Sequence, residues 1–168
     1  MLAGWRCSAG RWSCLFNPLV AIRGAITFLT RLPVGGGEDA WEAFRESPYT
    51  IPLVGYLIGG VAGLAFFLPV QPTTVVAAYL VGLYLLLTIT HADGLADVGD
   101  AIGVHGDPER RREVLKDSAT GVGGMLLVGV TLVVLTLGAL GFAGTDPMTA
   151  LRLAVAAEVG AKLGMVLV

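Results

Sequence analysis

Charged residues are scarce in this chain. Only 14% of its 168 residues are Asp, Glu, Lys or Arg, whereas soluble domains contain about a quarter. Hydrophobic residues make up 55% of the chain, and the mean hydropathy is +0.76. This composition excludes an ordinary soluble domain and predicts an all-α fold, a polytopic bundle of transmembrane helices.

Cysteine is also rare, and no basic stripe with interleaved aromatic residues occurs. Cys7 and Cys14 are separated by a six-residue gap, which matches neither a zinc-binding pair nor a redox pair. The formal net charge is -2. We therefore predict no cysteine-based centre and no nucleic-acid partner.

Long apolar runs, by contrast, define the organisation. We predict an N-terminal tail over residues 1–17 and one membrane domain over residues 18–168. About four spans are expected, near residues 51–70, 73–90, 122–144 and 150–168, since a crossing helix needs about 20 residues. Lys and Arg concentrate in the N-terminal region and in the polar segment 91–121. The positive-inside bias therefore predicts a multi-pass protein of the cell membrane with this segment in the cytoplasm.

Residues 18–34 precede these spans. A helix here would place Arg23 and Arg31 on one stripe, because they are eight residues apart. This pattern favours an interfacial helix.

Three aspartates follow the second apolar run, in the stretch "THADGLADVGD". If this stretch is helical, Asp93, Asp97 and Asp100 share one face. Like charges on one face repel each other unless a cation lies among them, and carboxylates are ligands that Mg²⁺ prefers. The alternative is that they are the solvated end of a helix. Gly94 and Gly99 would leave room beside the acids for a bulky ligand, and His91 is either a ligand, an acid/base group or a plain polar residue.

A basic segment follows. Asp107 is the expected N-cap of a short surface helix with Pro108 at its first position. The positive patch predicted beside the acidic one consists of Arg111, Arg112 and Lys116. Arginine matches phosphate oxygens in a bidentate way, so the patch fits a pyrophosphate. A merely solvated charged helix is the alternative, and it is weaker for Lys116 and Asp117, which adjoin the run "SATGVGG".

Four motifs in order resemble the adenosylcobinamide-GDP ribazoletransferase (cobalamin synthase) family. They are "FLTRLPV", "PYTIPLVGYLIGG", "HADGLADVGDAIG" and "DPERRREVLKDSATGVGG". The resemblance implies a Mg²⁺-dependent membrane enzyme that joins adenosylcobinamide-GDP to α-ribazole, or to its 5'-phosphate, and releases GMP. The resemblance is also compatible with a complex between this protein and other corrinoid enzymes. Ala101 and Ala119 depart from the family pattern, and similar proteins continue through further helices, so we expect this chain to be part of a longer protein.

The resemblance also implies roles for individual residues. Mg²⁺ would be held by Asp93, Asp97 and Asp100, of which Asp93 and Asp97 would be catalytic together with His91. His91 would orient or deprotonate the attacking hydroxyl. The implied substrate-binding residues are Arg31, Arg110, Lys116, Asp117 and Ser118.

Two other functions compete with this one. The CDP-alcohol phosphatidyltransferases also place aspartates at a helix end near the membrane, but their motif continues differently after "DG". A small transporter or helical scaffold is the non-enzyme alternative, which would place ionisable residues at mid-span. Only Glu158 and Lys162, one turn apart and able to pair, interrupt the fourth predicted span in this way.

Overall fold

The computed structural model describes residues 17–88, 90–104, 107–115 and 119–167. The tail predicted for residues 1–17 thus lies, apart from Asn17, outside the described residues. The helices are α1 (Pro18–Leu29), α2 (Glu38–Arg45), α3 (Thr50–Gly63, extended by a 3-10 turn over Leu64–Phe67), α4 (Pro72–Leu86), α5 (Thr90–Gly103), α6 (Pro108–Val114), α7 (Val122–Ala143) and α8 (Pro147–Leu167). Within these ranges no strand occurs beyond one isolated bridge between Thr30 and Leu87. The all-α prediction is confirmed.

Two of the four predicted spans hold a helix that is both long and apolar enough to cross a membrane. These are Thr50–Phe67, which includes the 3-10 turn, and Val122–Ala143. Helix α4 has 15 residues and rises about 22 Å, less than the hydrocarbon thickness of about 30 Å. Helix α8 has 21 residues but carries three charged ones. Helices α3, with its 3-10 turn, and α7 are therefore long and apolar enough to cross a membrane, whereas α4 is shorter than the hydrocarbon layer and α8 carries charged residues.

The apolar run expected to span residues 73–90 is broken at Leu87. The backbone N–H of Arg31 donates to the carbonyl oxygen of Leu86 at 2.8 Å, and the N–H of Thr88 donates to that of Leu29 at 3.4 Å. These bonds pair the segment after α1 with the segment after α4. The helix consequently ends at Leu86, and α5 starts as a separate helix.

Helix α1 is shorter than the sequence suggested. It ends at Leu29, where Thr30 adopts an extended conformation and its hydroxyl donates to the carbonyl of Ile26 at 2.7 Å. Pro33 disfavours a helical conformation in the preceding residue. Arg31 therefore lies outside the helix, and the prediction that it shares a stripe with Arg23 is wrong.

Arg23 holds the loop that follows α1. Its guanidinium donates to the carbonyl oxygens of Val34, at 3.1 Å, and of Gly35. Gly35 has a φ of 67°, a left-handed conformation that glycine adopts without steric cost. The loop after α1 is thereby folded back onto the helix.

Helix α3 packs most extensively against α8, and its glycines make the close approach possible. A Cβ atom added at Gly55 would lie 2.8 Å from the Cα of Val159, and one at Gly59 would lie 2.7 Å from the Cα of Val155. Small residues commonly allow membrane helices to approach this closely. The core around this crossing includes Val54, Ile58 and Tyr79.

Candidate functional site

The stretch that contains the three aspartates is helical, as expected, and forms α5. Asp93 is exposed in its first turn, and Asp97 is half-buried one turn further on. Neither carboxylate makes a hydrogen bond or an ion pair with another described residue. The two side chains project from one stripe because they are four residues apart. Helix α5 thus presents a pair of carboxylates with no protein partner in the described part of the chain.

Asp100, unlike Asp93 and Asp97, accepts hydrogen bonds from the protein backbone. One of its oxygens accepts the backbone N–H of Gly121 at 2.6 Å and the other accepts that of Gly124 at 2.8 Å. Gly121 is the N-cap of α7 and has no side chain to cap the helix. A carboxylate at a helix N-terminus satisfies unpaired donors and interacts favourably with the helix dipole. Asp100 therefore caps α7 from a neighbouring helix.

Around this cap the backbones of α5 and α7 touch. A Cβ at Gly99 would lie 2.7 Å from the carbonyl oxygen of Gly123, and a Cβ at Gly124 would lie 2.7 Å from that of Ala96. The interpretation of Gly99 as space for a ligand is therefore wrong, because the helix crossing fills it. A Cβ at Gly94 would meet nothing within 4 Å. Open space therefore lies beside Gly94, between Asp93 and Asp97, but not beside Gly99.

The donor set fits a magnesium ion only in part. Among the described residues no group of three or more Asp, Glu, His or Cys side chains converges. Mg²⁺ in proteins commonly takes one or two carboxylates and completes its shell with water and substrate phosphates. Asp93 and Asp97 meet that requirement. The further prediction that Asp100 ligates the metal stays a prediction.

His91 lies on another face of α5. It precedes Asp93 by two residues, which at 3.6 residues per turn separates the two side chains by about 160°. The imidazole lines a cavity of about 510 Å³ between α4, α5, α7 and α8. Burial lowers the pKa of His91, and the nearby charge of Lys162 lowers it further, while Glu158 acts in the opposite sense. Its Nδ1 atom is enclosed and has no hydrogen-bond partner among the described residues.

A buried ion pair adjoins this cavity. The Nζ atom of Lys162 lies 3.1 Å from a carboxylate oxygen of Glu158, and the two side chains are 6% and 12% exposed. Their pairing within α8 was predicted and is confirmed. Their closeness to His91 was missed, since periodicity along one helix does not reveal which helix faces it. The signal was present as two charges inside an apolar segment, which usually face a partner or a cavity.

The two described arginines proposed to bind substrate, Arg31 and Arg110, lie on different segments of the structure. The guanidinium of Arg31 lies over the ring of Tyr84, 5.2 Å from its centroid, a cation–π distance. Arg110 is exposed on α6, and its backbone N–H donates to Asp107 at 3.0 Å. The predicted N-cap at Asp107 and the first-turn Pro108 are confirmed. Three of the predicted substrate-binding residues, Lys116, Asp117 and Ser118, lie outside the described residues.

Known proteins resemble this chain over most of its length. A family model described as cobalamin-5-phosphate synthase matches residues 21–168. An adenosylcobinamide-GDP ribazoletransferase from Halorubrum lacusprofundi is 48% identical over 86% of this chain and 59% of its own length. One of the same name from Haloquadratum walsbyi is 47% identical over 88% of this chain and 60% of its own length. No solved structure matches. The chain spans about three fifths of the length of these two relatives, and it belongs to the cobalamin-5-phosphate synthase family.

Proposed function

We propose that the protein is a Mg²⁺-dependent membrane transferase that joins adenosylcobinamide-GDP to α-ribazole, or to α-ribazole 5'-phosphate. A ribose hydroxyl oxygen that is free in both acceptors, and is therefore not the 5'-oxygen, forms a bond to the phosphorus attached to cobinamide. The bond from that phosphorus to the bridging oxygen breaks, and GMP leaves with that oxygen. The hydroxyl proton passes to a base or to water, so adenosylcobalamin, or its 5'-phosphate, and GMP are the products.

The observation that carries this proposal is the pair formed by Asp93 and Asp97. Both carboxylates lack partners among the described residues, and open space lies beside Gly94 in the same turn. Family membership supplies the reaction class, because the two relatives are named for ribazole transfer. A pair of hard oxygen donors at a helix edge suits phosphoryl transfer, in which catalysis is mostly positioning and charge stabilisation.

In this proposal Asp93 and Asp97 hold the metal. A bound Mg²⁺ would neutralise the charge that develops on the transferred phosphoryl group and on GMP. Arg31 and Arg110 are the proposed partners of the diphosphate oxygens, and Lys116, Asp117 and Ser118 are the further proposed substrate-binding residues. His91 is proposed to contact the nucleoside rather than the metal, because it faces the cavity on the other side of α5.

We further propose that segment 91–121 faces the cytoplasm in a multi-pass protein. The arginines of α6 and the absence of Lys and Arg around residue 71 support this orientation. The two alternative functions have less support. Neither the CDP-alcohol phosphatidyltransferase function nor the transporter function draws support from the family match, and the buried Glu158 and Lys162 side chains are paired with each other.

The test is the conversion of adenosylcobinamide-GDP and α-ribazole to adenosylcobalamin and GMP in membranes that contain this chain, with and without Mg²⁺. A second sample carries the chain extended past Val168 with the corresponding sequence of a relative. Mg²⁺-dependent product in either sample supports the proposal. Absence of product from both, at matched protein levels in the membrane, overturns it.

A further inference from the structure

The cavity beside His91 has a composition unlike that of the aspartate stripe. Its wall is formed mainly by leucines from three regions of the chain: Leu80, Leu83, Leu87, Leu95, Leu132 and Leu135. Its volume of about 510 Å³ falls within the range of small-molecule pockets, about 300–1,000 Å³. Such a wall favours a flat apolar ring over a phosphate or a sugar.

Few polar groups reach the cavity, and their bonding states differ. The hydroxyl of Thr131 donates to the carbonyl oxygen of Leu127 at 2.8 Å, so it is already engaged within α7. Glu158 is paired with Lys162, and the enclosed Nδ1 of His91 has no partner in the described part of the chain. Buried polar atoms in native proteins are nearly always hydrogen-bonded. The imidazole and the carboxylate of Glu158 therefore place polar groups in a cavity whose wall is mostly apolar.

We propose that this cavity binds the aromatic base of the nucleoside acceptor, which makes it the base-selecting site of the enzyme. The inference rests on the proposed function, and it names where one of the two substrates lies. A bicyclic base with one unsubstituted ring nitrogen suits a leucine wall that carries few polar groups. The corrinoid, with its macrocycle and many side chains, is far too large for a cavity of about 510 Å³.

The position of the cavity agrees with this assignment. Tyr84 lines the cavity and carries the guanidinium of Arg31 on its ring, so a proposed phosphate partner lies next to the proposed base site. His91 on one face of α5 and Asp93 on another both belong to the first turns of that helix. A nucleoside whose base is in the cavity would then have its ribose near the end of α5 that carries the carboxylates. A lipid acyl chain is the other candidate occupant, but it offers no hydrogen-bonding group to the Nδ1 atom of His91.

The first experiment measures binding without catalysis. Benzimidazole is titrated against this chain in lipid nanodiscs, with its own fluorescence as the signal. Thr131→Phe adds a bulky ring to the lining, and Val130→Phe is the matched control, because Val130 is the adjacent residue on α7, has nearly the shape of Thr, is exposed as Thr131 is and lies outside the lining. We expect Thr131→Phe to weaken benzimidazole binding by about tenfold or more and Val130→Phe to change it less than about twofold.

Equal binding by all three proteins, or displacement of benzimidazole by a single-chain fatty acid at equimolar amounts, would overturn the assignment. A thermal unfolding curve for each variant shows whether Thr131→Phe is still folded. If it is not, Leu135→Phe, which lies one turn further along the same wall, takes its place with Val134→Phe as its control.

The second experiment separates this inference from the proposed function. In the transferase assay, Thr131→Phe is expected to raise the KM for α-ribazole about tenfold and to leave the KM for adenosylcobinamide-GDP unchanged. An active enzyme whose KM for α-ribazole is insensitive to Thr131→Phe would refute the base site alone. Absence of product from both this chain and its extended form, with benzimidazole still bound at this cavity, would refute the proposed reaction and leave the base site standing.

Discussion

The two ends of α5 carry the same kind of residue but use it in different ways. Towards the N-terminal end, Asp93 and Asp97 lack partners among the described residues, and a Cβ at Gly94 would meet open space. Towards the C-terminal end, Asp100 accepts two backbone N–H groups of α7, and Gly99 lies directly against Gly123. One motif therefore combines two carboxylates that are open to a ligand with a third carboxylate that attaches α5 to α7.

This comparison shows why a sequence motif does not by itself define a ligand set. The three carboxylates are equivalent in spacing, since each lies three or four residues from the next. They become inequivalent only when α7 approaches, because its N-terminus supplies donors to Asp100 alone. A buried or engaged carboxylate stabilises the fold, while an open one remains free for a metal or a substrate.

The largest effect is expected from Asp97→Asn in α5. The amide is isosteric but neutral, so Mg²⁺ loses one anionic ligand and transfer should fall by about 100-fold or more. Folding should be little affected, because Asp97 holds no protein partner in the described part of the chain. The measurement is the rate of GMP release at saturating substrates, with Glu38→Gln on the exposed part of α2 as the charge-matched control. Activity near the wild-type level in Asp97→Asn would remove this residue from the metal site.

Asp100→Asn tests the C-terminal end of α5. The substitution replaces one acceptor oxygen by an amide donor that faces a backbone N–H, and it removes the charge at the N-terminus of α7. Hydrogen bonds to charged groups contribute about 1.5–3 kcal/mol each, so we expect the free energy of unfolding to fall by about 3 kcal/mol. Unfolding in detergent, followed by circular dichroism, measures this loss. Wild-type stability combined with a weakened Mg²⁺ dependence would show instead that Asp100 acts mainly as a metal ligand.

Substitution of two glycines tests the difference between the two ends of α5. Gly99→Ala places a Cβ against the carbonyl oxygen of Gly123, where neither backbone can yield cheaply, and should destabilise the protein by about 2 kcal/mol. Gly94→Ala meets nothing and should be neutral, or should stabilise α5 by up to about 1 kcal/mol through helix propensity. The two variants differ only in position on one helix, so their unfolding midpoints are directly comparable. Equal midpoints would mean that α5 and α7 do not cross as closely as described.

Local patterns in the sequence predicted much of this architecture. The helical spacing of the aspartates, the N-cap at Asp107 and the pairing of Glu158 with Lys162 all follow from interactions within a few residues, and all three are confirmed. The break at Leu87 was not predicted, because it depends on Arg31, which is distant in sequence and donates to Leu86. Likewise the cap made by Asp100 and the cavity beside His91 arise only when separate helices pack together.

The smallest effect is expected at Asp107, which caps α6 from within its own segment, whereas Asp100 caps α7 from another helix. Asp107→Ala removes the acceptor for the N–H of Arg110, and loss of such a cap costs about 1 kcal/mol of helix stability. Because α6 has seven residues and none is buried, this loss should remain local. Amide hydrogen exchange at Arg110 should accelerate several-fold while the global unfolding midpoint stays unchanged. A lowered global midpoint would show that α6 is coupled to the bundle, which would place Arg110 on a rigid element rather than on a separately fraying one.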